Sequence, residues 1–135
     1  MRRLFFPAFL LLSLAAAWHL GRVTAQGPPA TEPQIGHMVF FQLSDNSSQA
    51  KAKLVEACNK HLTGHEGTAY YSAGTRAEEF TREVNDMEYD VALHLVFKNK
   101  AAHDKYQDHA RHKQFIDENR ANWKKVRVFD SHVQP

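Results

Sequence analysis

Tyr106-Gln-Asp-His-Ala-Arg-His-Lys-Gln-Phe115 sets a phenol and two imidazoles within one short stretch of chain. A neutral imidazole, with an ordinary pKa near ~6.5, can take a proton from an activated methylene. A phenol can donate to the enolate oxygen that develops as the proton leaves. Tyr106 and His112 lie six residues apart, so on a straight helix they point about 120° away from each other. They converge on one substrate only where the helix bends or breaks near His109. The same residues also allow a plain packing role. His112, Ile116, Asn119 and Trp123 fall on one helical face and could pack a core with satisfied hydrogen bonds.

The chain holds nine His and one Cys. His109 and His112 can share a helical face, and His61 and His65 stand at i, i+4, although Gly64 is expected to end their helix between them. Neither pair has a third ligand at recognisable spacing, so neither a metal nor another cofactor is expected. His61, His65, His103 and His132 are expected on the solvated surface. Cys58 is alone, so no intramolecular disulfide can form. It falls on the apolar side of a predicted helix with Leu54 and Leu62, which predicts a buried, inert thiol.

The elements that must position these groups occupy the last hundred residues of 135. Met1-Arg-Arg followed by the apolar run Leu4–Trp18 and then Val23-Thr-Ala25 has the form of a signal peptide, residues 1–25, with cleavage after Ala25. The apolar run is shorter than the ~20 residues that span a bilayer as a helix. An exported, periplasmic or secreted protein is therefore expected, without a membrane partner once the leader is removed. The leader carries three of the seventeen basic residues and no acid, which leaves fourteen basic against fifteen acidic and a formal charge of −1. No basic cluster remains to neutralise phosphates, so nucleic acid is excluded as a partner. Residues 26–34, with three Pro and one Gly, read as a linker arm, and residues 35–135 as the domain.

Gly36–Leu43 is apolar on both alternating faces and predicts a strand covered on two sides. Gln49–Leu62 predicts an amphipathic helix, Thr68–Ala73 a strand, and Thr75–Glu88 a connection with at most a helical turn around Glu78–Val84. Tyr89–Phe97 is the clearest strand. Asn99 to about Trp123 is helical by pattern, and Lys125–Val133 is a closing strand. This βαββαβ order is the α+β, ferredoxin-like arrangement, one antiparallel sheet with both helices on one face. The first and third strands are apolar on both faces, so the uncovered side of the sheet calls for a partner, and a second copy of the chain suits it. If Leu93 points into the space between two such sheets, His94 points toward the helices.

Ile35–Leu43, Tyr89–Phe97, the Tyr106-x-x-His109-x-x-His112-x-x-Phe115 run and Val126–Asp130 together resemble the stress-response dimeric α/β-barrel (Dabb) family. The resemblance covers about residues 35–133 and implies a homodimer. Many bacterial members of that family have no assigned activity, whereas a plant branch includes olivetolic acid cyclase, which closes a polyketide ring by aldol condensation. Carried over residue by residue, the catalytic pair falls on Tyr106 and His112, and further pocket positions fall on His37, His109 and Trp123. Val39 and Phe41, alternating with His37, and Leu93 complete the expected ligand-binding set. The cyclase motif has Pro after its first His, where this chain has Ala110, and no aromatic stands in Leu54–Asn59. The resemblance thus implies an exported domain that binds a small apolar or aromatic ligand in the barrel pocket. The alternative is a lyase or cyclase with His112 as general base and Tyr106 orienting the substrate. Whether the protein is an enzyme stays open at this point.

Overall fold

Strand β1, Gln34–Leu43, alternates in the way its sequence dictates: Ile35, His37, Val39, Phe41 and Leu43 are buried, while Met38, Phe40 and Gln42 are half-buried on the other face. The structure is a computed structural model and describes residues 32–134. The leader and residues 26–31 of the arm lie outside the described residues, and Gln34 already pairs with Val133 inside the sheet. Helix α1, Ser48–Leu62, begins where the Ser47 hydroxyl accepts the Ala50 N–H at 3.2 Å. It ends at Thr63, whose backbone is extended, followed by Gly64 at φ +68°. Its buried stripe is Leu54, Cys58, His61 and Leu62.

Strands β2, Thr68–Thr75, and β3, Val91–Phe97, pair antiparallel. The connection between them forms isolated turns, with the Phe80 N–H donating to the Ala77 carbonyl and the Asn85 N–H to that of Arg82, within the expected limit of at most a helical turn. Asp90 anchors its end by accepting the Leu43 N–H at 2.8 Å. The second helical region is two helices: α2, Lys100–Asp108, and α3, Ala110–Asn119. A 3₁₀ turn, Arg120–Asn122, leads into β4, Trp123–Val133. The sheet order is β2-β3-β1-β4 with every pairing antiparallel, the ferredoxin-like plan.

The helices pack on the face that carries His37, Phe41 and Leu93. Phe41 meets Phe115 of α3 and His37 meets Tyr106 of α2, at ring separations of 6.1 and 5.9 Å. Phe41, Leu62, Leu93, Leu95, Phe97, Tyr106 and Phe115 form the core, and burying each such side chain is worth roughly 1.5–3 kcal/mol. Leu93 is therefore under the helices, and His94, expected beneath them, lies on the open face beside Phe40. The expectation inverted the two because the strand pattern alternates but does not say which face receives the helices. Phe40, Phe129 and Tyr89 continue that open face, and Phe129 is 54% exposed. No helix among the described residues is long and apolar enough to cross a membrane.

Candidate functional site

The break between α2 and α3 makes the site. His109 adopts φ −68°, ψ 139°, closes α2 by donating its N–H to the Tyr106 carbonyl at 3.1 Å, and caps α3. Its ring Nδ1 accepts the Arg111 N–H at 3.1 Å, the capping role usually taken by Ser, Asp or Asn. One residue of extended backbone re-aims α3, so the rings of Tyr106 and His112 meet at a separation of 4.5 Å, tilted by 38°. The continuous helix read from residues 99–123 does not form. The polar, weakly helix-forming pair Asp108-His109 yields to a side-chain cap, without the proline that would enforce it.

His112 Nδ1 donates to the Gln107 carbonyl at 3.0 Å. A carbonyl can only accept, so this bond assigns the proton to Nδ1 and leaves a lone pair on Nε2. Burial lowers the His112 pKa below the ordinary imidazole value, against the Gln107 bond, which raises it. Burial also raises the Tyr106 pKa, which keeps its hydroxyl protonated as a donor. A neutral base thus sits beside a neutral acid, and their environments push the two pKa values apart.

His37, 4% exposed on β1, donates from Nδ1 to Asp130 Oδ1 of β4 at 2.6 Å, a contact set by the His37–Asp130 register pair. Burial lowers the His37 pKa and outweighs the opposing Asp130 bond. Between the sheet and α2 and α3 lies a cavity of about 220 Å³. Val39, Phe41, Leu93, Phe115 and Ile116 form apolar walls, and His37, Tyr106, His112 and Asp130 gather polar groups at its lining. Trp123 also lines it, and its indole N–H is buried with no acceptor among the described residues.

The structure brings together His37, Val39, Phe41, Leu93, Tyr106, His112 and Trp123, all named from the sequence. The cavity lies within one protomer, between sheet and helices. His109 stands outside it. It is exposed and lies edge-on to His65 at a ring separation of 4.6 Å, lining a separate recess with Glu66 and Arg111. Its capping role turns the ring away from the His112 side. Sequence reasoning missed Asp130, although Val126, Val128 and Asp130 alternate onto one face; which strand they would meet was not readable. His61 and His65, expected on the surface, are buried. His61 reaches Glu118 at 3.0 Å, and His65 Nε2 donates to the His61 carbonyl at 2.9 Å. A larger cleft of about 430 Å³ opens at the start of α1, beside Asp45, Lys53 and Asn122. No imidazole, phenol or thiol lines it, and its Asp45 and Asn122 bond to each other, whereas the smaller cavity holds the imidazole and phenol groups.

A ferredoxin-like α+β domain with an aromatic and imidazole-lined cavity under its helices is the class that this fold and site define. The sequence profile of the stress responsive A/B barrel domain matches residues 35–133, and the chain belongs to that Dabb family. No curated protein matches it. Among solved structures it is similar to a Dabb family protein with a ferredoxin-like fold from Mesorhizobium loti, at 20% identity and TM-score 0.63, covering 77% of this chain and 100% of that one. A dimeric ferredoxin-like protein of unknown function from Thermobifida fusca matches at 16% identity and TM-score 0.64, covering 76% and 92%. A hydroxynitrile lyase from Passiflora edulis matches at 16% identity and TM-score 0.61, covering 77% and 95%. At these identities the likeness shows the fold.

Proposed function

We propose that this Dabb protein is an exported homodimer that binds a small apolar or aromatic ligand in the cavity between sheet and helices. The cavity carries the reading: its walls are apolar, its polar groups are few, and a buried Trp123 N–H faces no protein acceptor among the described residues. Small-molecule sites have this composition, with a few placed polar groups fixing orientation. The test is mass spectrometry of compounds released from the purified protein. A ring-bearing compound should come off the wild type and be absent from Ile116→Trp, which fills the cavity from α3. If neither protein releases one, and no aromatic fragment perturbs the NMR signals of His112, the reading is wrong.

The open sheet face with Phe40 and Phe129 supports the dimer, as do solved relatives described as dimeric. A stable monomer at micromolar concentration in sedimentation would refute it. The signal-peptide form of residues 1–25 supports export, and the exported protein should begin at Gln26.

A second reading, a lyase or aldol-type cyclase, has its own support in the break at His109. That break sets Tyr106 against His112, with His112 Nε2 free to take a proton and Tyr106 able to donate to an oxygen. Its test is turnover of a β-ketoacyl compound, abolished in His112→Ala while the dimer persists. Turnover that survives in His112→Ala would remove His112 from the role of base.

A further inference from the structure

His37 on β1, His103 on α2 and Asp130 on β4 are remote in sequence, yet each presents one ligating atom within 4.8 Å of the other two. We propose that these three side chains form a binding site for a first-row divalent transition-metal ion, of the two-imidazole, one-carboxylate kind. This donor set is one that zinc and iron sites use, with three protein ligands and the remaining positions open.

The local geometry suits an ion. His37 Nδ1 stands 2.6 Å and His103 Nε2 3.9 Å from the same carboxylate oxygen, Asp130 Oδ1. The two rings lie edge to face at 5.2 Å, so they approach the carboxylate from different directions. Ligand atoms held at metal–nitrogen distances near 2.0–2.1 Å are themselves about 2.9–3.4 Å apart, between the two observed spacings. A rotation of the Asp130 side chain, which is 51% exposed, can equalise them. The ion would take the place of the proton now held between His37 and Asp130.

The surroundings fix the donor atoms. His103 Nδ1 faces Asp104 Oδ1 at 3.3 Å, and the Gln107 amide stands 3.2 Å from His103 Nε2. With Asp104 accepting at Nδ1–H, Nε2 carries a lone pair that now accepts from the Gln107 amide and that a metal would take in its place. This is the outer-shell carboxylate that metal-bound His characteristically carries. Asp104 is itself paired with Lys100. His109 with His112, the pair considered from sequence, does not take part. His109 is held at the helix cap outside the cavity, and among the described residues no third ligating atom gathers with this pair within 4.8 Å.

His37 and Asp130 also line the ligand cavity, so a bound ion would adjoin whatever the cavity holds. Metal binding itself requires no occupant there, and the two readings fail separately.

The test is calorimetric titration of the metal-stripped protein with Zn²⁺, alongside the visible spectrum with Co²⁺. One ion per protomer should bind at the strong site. His103→Gln and Asp130→Asn should each weaken it by more than the roughly 10- to 100-fold that loss of an outer-shell partner costs. They should also abolish the intense Co²⁺ bands expected of a low-coordinate site. His132→Gln, on the exposed end of β4, should change neither. His103 and Asp130 are partly exposed, so these variants test the site without emptying the core as His37→Ala would. Equal Zn²⁺ affinity in the wild type and in the His103→Gln/Asp130→Asn double variant, with melting curves showing both folded, would overturn the proposal.

Discussion

Ala110→Pro should stabilise this protein, although a helix-wide reading of residues 99–123 would make it one of the worst places for proline. Ala110 is the first residue of α3, where the N–H has no intrahelical acceptor to lose and where proline's fixed φ suits the helix. Proline would restrict the preceding residue to extended backbone, and His109 already holds φ −68°, ψ 139°. The Tyr106 carbonyl, which a proline ring at 110 would strike in a continuous helix, instead accepts the His109 N–H at 3.1 Å. Ala110 is exposed, so the ring meets solvent. The remaining effect is the lost freedom of the unfolded chain, a gain of about 0.4–1 kcal/mol. For a domain of this size that raises Tm by roughly 2–8 °C. Urea and thermal melts followed by circular dichroism measure it, with Gln114→Pro inside α3 as the contrast, expected to lose about 3 kcal/mol or more. The Tyr106–His112 contact should survive in Ala110→Pro, checked by unchanged His112 ring signals. A loss of stability above about 1 kcal/mol would mean that α2 and α3 are one helix in solution, and the convergence of Tyr106 and His112 would fall with it.

Acid should destabilise the protein from near neutrality. Burial holds His37, His65 and His112 below the ordinary imidazole pKa, so as pH falls through about 6.5 the unfolded chain takes up protons before the folded one does. The unfolding free energy should be highest above that pH and decline below it, and a urea midpoint that is flat or rises between pH 7.5 and 5 contradicts this. The Cys58 thiol, fully buried and pushed up to about 12, should resist thiol reagents at pH 8 until the chain is unfolded; rapid labelling of native protein contradicts its placement. Gly67 stands at φ +82°, and a Cβ there would lie 2.5 Å from the Ala102 Cβ, so Gly67→Ala should cost roughly 2–4 kcal/mol in denaturant melts. A change within about 0.5 kcal/mol would show that the turn and α2 are not packed so closely.

Periodicity made the elements legible. Val91, Leu93, Leu95 and Phe97 alternate, Leu54, Cys58 and Leu62 recur at helical spacing, and the order of such segments admits few antiparallel topologies. The cavity's apolar wall followed from the same alternation through Val39, Phe41 and Leu93. What periodicity does not carry is the facing of a strand pair, which is why Leu93 and His94 were exchanged between the two sides of the sheet. Nor does it carry register. Asp130 meets His37 because β4 runs antiparallel to β1 with that pairing, a fact held in no local window. The burial of His61 and His65 is likewise tertiary: an imidazole leaves water at little cost when a carboxylate such as Glu118 or a carbonyl such as that of His61 replaces it.

The break at His109 shows how one residue couples folding to the geometry of the candidate site. A helix of uniform propensity through residues 99–123 would set Tyr106 and His112 on different faces, and neither hydrogen bonds nor packing in the sheet could reunite them. His109 accepts an N–H at its side chain, donates its own backwards, and spends a single extended residue between two helices. The turn it makes carries α3 back over β1, which buries Phe115 against Phe41 and lays His112 on Tyr106. Packing of α3 holds the break in place, and the break gives α3 the angle at which it packs. The candidate site therefore depends on a cap that is itself outside the cavity, and His109 sets the Tyr106–His112 arrangement by position and not by contact.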